Sequence, residues 1–346
     1  MREVTPETAV DYLRARGRVP RTGEVRVRAL GWGVSNVVMR VDVDGSPPFV
    51  LKQARERLRT EALWVSRLDR IWTERAALEL LGQVLPREPG AGAVPLVLFS
   101  EPDDYLFAMT CAPDDAAVWK EPLLAGQVDP EVALNAGTLL GSIHLGTLDH
   151  PALREGPLAE TVVFDQLRID PFYRTIARVH PDLAPELDHW IASLQAPVVR
   201  TFVHADFSPK NILVHGAGSL TLVDFETAHA GDPAYDLGFV LSHLLLKAVR
   251  VAPSPAPYLA LVQIFRDAYL ARVGPAFDAG LEARACGHAA ACALARVDGT
   301  SPVDYLDAPR QAAVRRFARA ALRERPSGWD ELLSFLAREM QIFSSA

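Results

Sequence analysis

Near the amino end, apolar and polar positions tend to alternate. VRVRAL (25–30), NVVMRVDV (36–43) and PFVLKQ (48–53) are rich in β-branched residues with partial period-two spacing, which predicts three strands. Asp44-Gly45 is a hairpin signal between the second and third. Gly31-Trp32-Gly33-Val34-Ser35-Asn36 forms a short glycine-containing turn between the first two. Ahead of them, Thr5 as N-cap, Pro6 at the first helical position, and Ala9, Leu13 and Ala15 on one face predict a helix over 5–16. After them, Glu74, Leu78, Leu81 and Leu85 recur at near-helical spacing and predict a helix over 67–84. Two more apolar runs, 94–100 and 105–110, flank a turn at Glu101-Pro102-Asp103-Asp104, and 111–118 reads as a connector. From about 130 onward the spacing is helical, with helices predicted at 130–148, 160–178, 182–195, 234–248, 255–273, 278–297, 308–323 and 329–341. The one interruption, 201–226, reads as short strands around a loop. The pattern predicts an α+β protein with a small lobe over 1–112, made of five antiparallel strands and one long helix. A larger, mainly helical lobe is expected over 113–346.

Composition narrows the class. The 346 residues are 49% hydrophobic and 23% charged, an ordinary globular balance, and net charge is -7. A chain that wraps a phosphate backbone carries a basic excess, so nucleic acid is not expected as a partner. Three cysteines without a CxxC pair suggest neither a disulfide framework nor a structural zinc site. The first residues are charged and amphipathic rather than apolar, and no run approaches the ~20 apolar residues of a membrane span. A cytoplasmic protein without membrane contact is expected.

The candidate chemistry lies in the non-helical interruption. His204-Ala205-Asp206-Phe207-Ser208-Pro209-Lys210-Asn211 fits HxDxxxxN, and Asp224-Phe225-Glu226 follows thirteen residues after Asn211 at the end of another apolar run. With only three asparagines in the chain, the first pattern arises by chance roughly 0.005 times. Phosphoryl transfer from ATP needs this set. Mg2+ must bridge the phosphate oxygens and prefers hard oxygen ligands, such as the Asn211 carbonyl and the Asp224 carboxylate. The attacking hydroxyl needs an orienting base, the role of Asp206. Lys52 suits the phosphates, Glu74 could pair with Lys52 and keep it aimed, and the turn bearing Gly31, Gly33, Ser35 and Asn36 can bring backbone N–H groups to the phosphates.

At these residues the chain resembles the aminoglycoside phosphotransferase and choline kinase superfamily. The resemblance rests on GWGVSN, FVLKQ, ERAALELL, FVHADFSPKNILV, LVDFE and GDPAYDLG, in that order over about residues 25–246. It implies a bilobal, protein-kinase-like fold and a small-molecule hydroxyl acceptor. It also implies a hinge at Met109, Thr110, Cys111 and Ala112 that meets adenine through its backbone, and a Glu226 that assists a metal or the substrate. Some features look like methylthioribose kinase: the amino-terminal helix, Phe49–Ala54, and DxE where DxD is usual. The catalytic loop, with Asn211, follows the broader family instead. Monomer and homodimer both fit the resemblance.

Other readings stay beside this one. A nucleotide-binding pseudokinase would lack the base, lysine or metal ligands, and none is lost. A metal-dependent hydrolase would use His204, Asp206 and Asp224 but needs further ligands. A protein kinase would carry an Arg between the His and Asp of the loop. His204, His144 and His229 are expected to be structural, and Asp236 reads first as an N-cap that the resemblance also has bracing the catalytic loop. Residues 237–346 hold 13 Lys or Arg against 10 Asp or Glu. Arg296, Arg315, Arg316, Arg319, Arg323 and Arg325 therefore do not supply the acidic wall a polycationic aminoglycoside would favour. A sugar-like, or other neutral or anionic, acceptor is expected; 296–302 reads equally as a border of its site or as a plain helix-to-helix connection.

Overall fold

A sheet with helices on both faces opens the chain. The computed structural model describes residues 2–31, 36–55, 67–85 and 94–341. Strands β1 (Val25–Ala29), β2 (Asn36–Val43), β3 (Phe49–Ala54), β4 (Val97–Glu101) and β5 (Leu106–Thr110) pair in the order β1-β2-β3-β5-β4, antiparallel throughout. Strand β4 starts three residues later than the apolar run predicts. Pro95 has no N–H to give to a ladder, which explains the late start.

Both faces of the central strand β3 are covered. Helix α1 (Pro6–Ala15) buries Ala9, Tyr12 and Leu13 at helical spacing against Met39, Val41, Leu51 and Leu106. Gln53 on that face accepts from Val4 N at 2.9 Å and donates to Arg2 O and Asp104 O at 2.7 and 2.9 Å. On the opposite face, Val50 and Ala54 pack in the cluster that includes Ile71, Leu78 and Leu81 of α2 (Arg70–Val84). Lys52 shares this second face because strand side chains alternate, so its charge points toward α2 and the lobe below.

The larger part is mainly helical: α3 (Lys120–Leu124), α4 (Pro130–Gly146), α5 (Val162–Phe164), α6 (Thr175–Val179), α7 (Ala184–Gln195), α8 (Ala234–Arg250), α9 (Ala256–Val273), α10 (Leu281–Asp298), α11 (Ala308–Glu324) and α12 (Trp329–Met340). Helix α8 is buried on all sides from Ala234 to Val249. It lies so close to α10 that a Cβ on Gly238 would sit 2.6 Å from the Ala285 carbonyl oxygen. Gly137 gives α4 the same intimacy with α9, where a Cβ would meet Phe265 O at 2.3 Å. Short strands β6 (Ala117–Val118), β8 (Ile212–His215) and β9 (Ser219–Leu222) form one small sheet, and β7 (Thr201–Val203) pairs with β10 (His229–Gly231).

Two expectations change here. The connector 111–118 contributes strand β6, paired to β8 at Val118 and Leu213. The helix over 160–178 is not uniform: Asp165–Arg174 is wound in wide π-helical turns between α5 and α6. Pro171 lies inside it, lacks an N–H and cannot sit in a regular α-helix without clashing with the preceding turn. The result is the predicted α+β, bilobal arrangement, with a small five-stranded lobe and a larger, mainly helical one.

Candidate active site

The HxDxxxxN segment is the loop between β7 and β8, and buried bonds shape it at both ends. Both carboxylate oxygens of Asp236, in the first turn of α8, accept from the loop: His204 N at 2.7 Å and Ala205 N at 2.8 Å. Ala205 has φ 61°, a left-handed conformation that costs a non-glycine residue about 1–3 kcal/mol and persists where surrounding bonds impose it. His204 Nδ1 accepts from Asp206 N at 3.1 Å and Nε2 lies 3.2 Å from Val223 O. Both ring nitrogens thus serve backbone groups, one in the loop and one just after β9, as expected of a structural histidine and not of a metal ligand. Asn211 Nδ2 donates to Asp206 O and Oδ2 at 3.0 and 2.8 Å, and Val223 N donates to Asn211 O at 3.0 Å. Asp206, Asn211 and Asp224 are thereby fixed relative to one another.

The small lobe reaches the same place. Lys52 Nζ lies 2.6 Å from Glu74 Oε2 and 2.9 Å from Asp224 Oδ1, which ties β3, α2 and the DFE segment together. Beside it, Glu226 Oε2 accepts from Asn36 Nδ2 at 2.9 Å and from Arg70 Nε at 3.1 Å. Burial alone would drive the Lys52 amine down, but Asp224 and Glu74 overcome it and hold the pKa above the usual lysine value. Burial likewise works to raise Asp224, yet Lys52 and Lys210 hold it below the usual carboxylate range. Glu74 moves the other way: burial raises it to about 7 against the pull of Lys52.

A cavity of about 750 Å³ collects these groups. Asn36, Lys52, Glu74, Met109, Thr110, Cys111, Asp206, Asn211, Asp224 and Glu226 all line it. Gly31 does not, and Gly33 and Ser35 lie outside the described residues. Val38 and Val50 supply apolar wall from the sheet, and Phe172, Phe239 and His243 supply it from the helices.

Sequence reasoning missed two cations. Arg168 Nη2 lies 3.0 Å from Asp206 Oδ2, and its Nε donates to Ala205 O at 2.6 Å. Lys210 Nζ lies 2.8 Å from the same Asp206 oxygen. Burial pushes Asp206 up, but these two cations hold its pKa below the ordinary value, so it is ionised at neutral pH. Lys210 was findable, four residues from Asp206 within the motif. Arg168 was not, because Leu167-Arg168-Ile169 sits in a segment that reads as ordinary helix.

One expectation needs correction and another is sharpened. Asp236 does not cap its own helix; Asp232 Oδ1 accepts from Ala234 N there at 2.9 Å, which leaves Asp236 to the loop between β7 and β8. The basic excess of the tail is mostly spent elsewhere: Arg315 pairs with Asp298, Arg316 with Glu339, and Arg319 and Arg323 with Asp182. Arg296 and Ser301 line the cavity, so the 296–302 stretch does border it, although Arg296–Asp298 are the last turn of α10 and not loop.

Burial also makes a pH prediction. His204, His229, His243 and His288 are held below 6.5, chiefly by burial, with His229 at about 4 and His288 at about 3. A depressed folded pKa means the unfolded chain binds the proton first. The stability is therefore complete above pH 6.5 and is lost as pH falls toward the folded values. Glu74, raised from 4.5 to about 7, acts oppositely over that window and offsets one histidine. Urea unfolding should show stability falling as pH drops from about 6 to 5, because the unfolded chain takes up protons that His229 and His288 refuse in the fold. A flat profile there would contradict the buried neutral histidines.

This arrangement defines a class: a protein-kinase-like phosphotransferase fold, with a small sheet lobe over a helical lobe and an Asp/Asn/Asp set at their junction. Residues 26–276 match the phosphotransferase enzyme family, and the chain belongs to that family of enzymes. Solved structures agree on the fold. A macrolide 2′-phosphotransferase from Brachybacterium faecium is 20% identical, with 96% of this chain and 98% of that one covered at a TM-score of 0.55. A choline/ethanolamine kinase family protein from Mesorhizobium loti is 16% identical, with 97% and 94% covered at 0.52. An amicoumacin kinase solved with AMP-PNP and Ca2+ is 14% identical, with 94% and 97% covered at 0.54. At such identities the likeness speaks for the fold alone. No curated protein matches the chain. Among the described residues no helix is long and apolar enough to cross a membrane.

Proposed function

We propose that this protein is an ATP- and Mg2+-dependent kinase that phosphorylates a hydroxyl group of a small molecule. One observation carries the reading: Asp206, Asn211 and Asp224 line one cavity with a Lys52 that is ion-paired to both Asp224 and Glu74. Asp206 orients the acceptor hydroxyl and takes its proton as the new O–P bond forms and the bond from the γ-phosphorus to the ADP oxygen breaks. Its low pKa makes it a weak base, so orientation is its larger contribution. Lys52, aimed by Glu74, holds the phosphates. The 1–112 segment binds the nucleotide, with the backbone of Met109, Thr110 and Cys111 against adenine, and 113–346 binds the acceptor.

The donor set fits Mg2+. Asn211 spends its Nδ2 on Asp206, which leaves its carbonyl oxygen to a cation, and Asp224 is ionised beside it. Bound there, the ion would neutralise phosphate charge; Asn211 and Asp224 would hold it. Glu226 assists from beside them while bonded to Arg70 and Asn36. The protein acts in the cytoplasm, as monomer or homodimer.

The test is ADP release from MgATP against methylthioribose and other pentoses, aminoglycosides, choline, homoserine, macrolides and peptide antibiotics. Acceptor-dependent turnover is expected. Tight MgATP binding with no turnover on any acceptor would favour a nucleotide-binding regulator. No binding of MgATP would sink the proposal.

A further inference from the structure

The helical wall of the cavity holds more positive charge than phosphoryl transfer uses. Asp206 already has Arg168 and Lys210 against it. Arg296, from the last turn of α10, lines the same cavity. Its Nη1 donates to Ser301 O and Oγ at 2.6 and 3.2 Å, both neutral acceptors, and its buried Nε has no partner among the described residues. No carboxylate pairs with it among those residues.

A second cation lies close by. Lys247 of α8 is 2% exposed and, among the described residues, donates only to its own helix, at His243 O, 3.2 Å away. Its Nζ is 5.8 Å from the centre of the Tyr305 ring. Burial pushes its pKa down to about 7, and Lys120, Arg296 and Arg250 push the same way. Burying a cation without a counterion is costly; Lys247 can relieve the cost by giving up its proton, whereas the Arg296 guanidinium cannot and needs an anion. Glu121 also lines the cavity, but it is exposed and water screens it. Two aromatic rings, Phe172 and Phe239, with centroids 5.8 Å apart, line the same cavity as Arg296, and the Arg168 guanidinium lies 5.9 and 5.7 Å from their centres.

We propose that the acceptor itself carries a carboxylate or phosphate group, which Arg296 holds beside Phe172 and Phe239 while the hydroxyl meets Asp206. The inference rests on the kinase reading and names the chemical class of its substrate: a hydroxylated anion, and not a cationic amino-alcohol or aminoglycoside. The bland alternative is that Arg296 only staples the following loop through Ser301.

Calorimetry on the full chain saturated with Mg-AMP-PNP separates them, using matched pairs as probes: glycerate with glycerol, 4-hydroxybenzoate with 4-hydroxybenzamide, and ribose 5-phosphate with ribose. The anion of at least one pair should bind about 10-fold or more tighter than its neutral partner, the range of a charge-assisted contact. A preference confined to the first two pairs identifies a carboxylate, and one confined to the third a phosphate. Arg296→Gln should abolish the preference and Arg296→Lys should keep it, with unchanged melting temperatures showing that both fold. No preference in any pair, or one that survives Arg296→Gln, overturns the inference while leaving the kinase reading intact. Failure to bind Mg-AMP-PNP overturns both.

Discussion

Asp206→Asn should lower kcat by about 10²- to 10⁴-fold, the usual range for a lost general base, with MgATP affinity nearly unchanged. The substitution keeps the shape of the side chain and removes its charge. Asn211 Nδ2 can still find an oxygen there, so the loop keeps the bond now made at 2.8 Å. What disappears is the anion that Arg168 and Lys210 hold at 3.0 and 2.8 Å, and with it the acceptor for the hydroxyl proton. ADP release on the best acceptor reads the first effect and calorimetry with MgATP reads the second. A loss below about 10-fold would remove Asp206 from the chemistry and leave it a loop residue.

The largest expected effect on stability belongs to Asp236. Asp236→Ala strips the acceptor from two buried backbone N–H groups, those of His204 and Ala205. It also removes the neighbour 3.4 Å from His144 Nε2. Breaking a buried charged network of this kind costs about 3–5 kcal/mol. Asp236→Asn, which retains one carbonyl oxygen, should lose less. Urea unfolding of the two variants beside the parent gives the order. If Asp236→Ala unfolds within about 1 kcal/mol of the parent, another group holds the loop. Activity should fall in both, because Ala205 keeps φ 61° under the same two bonds.

These two residues show what the chain made legible. Asp206, Asn211 and Asp224 stood out because a rare residue pair at fixed spacing, followed by an acidic strand end, has a chemical reading before any contact is known. Lys52 and Glu74 could be paired from a strand followed by a helix, and they meet at 2.6 Å. The small sheet was readable because alternation sets its faces. Arg168 was not readable, since it reaches Asp206 from a segment wound around Pro171 in wide turns, and helical periodicity contains no such winding. Asp236 was half readable: its place at a helix start suggested a cap, but its carboxylate bonds a loop 31 residues earlier in the chain. The tail arginines were also half readable: their count argued against an acidic wall, but it could not show that Asp182, from outside the tail, takes Arg319 and Arg323.

Helix α8 joins two jobs in one rod. Its first turn holds the catalytic loop through Asp236, and Phe239 and His243, further along the same helix, line the cavity. Gly238 presses it against α10, which contributes Arg296 to the cavity. Exchanges at 239, 243 and 296 therefore reshape the cavity wall from two touching helices, while Asp236 and Gly238, on the same rod, keep the loop and the helix contact in place.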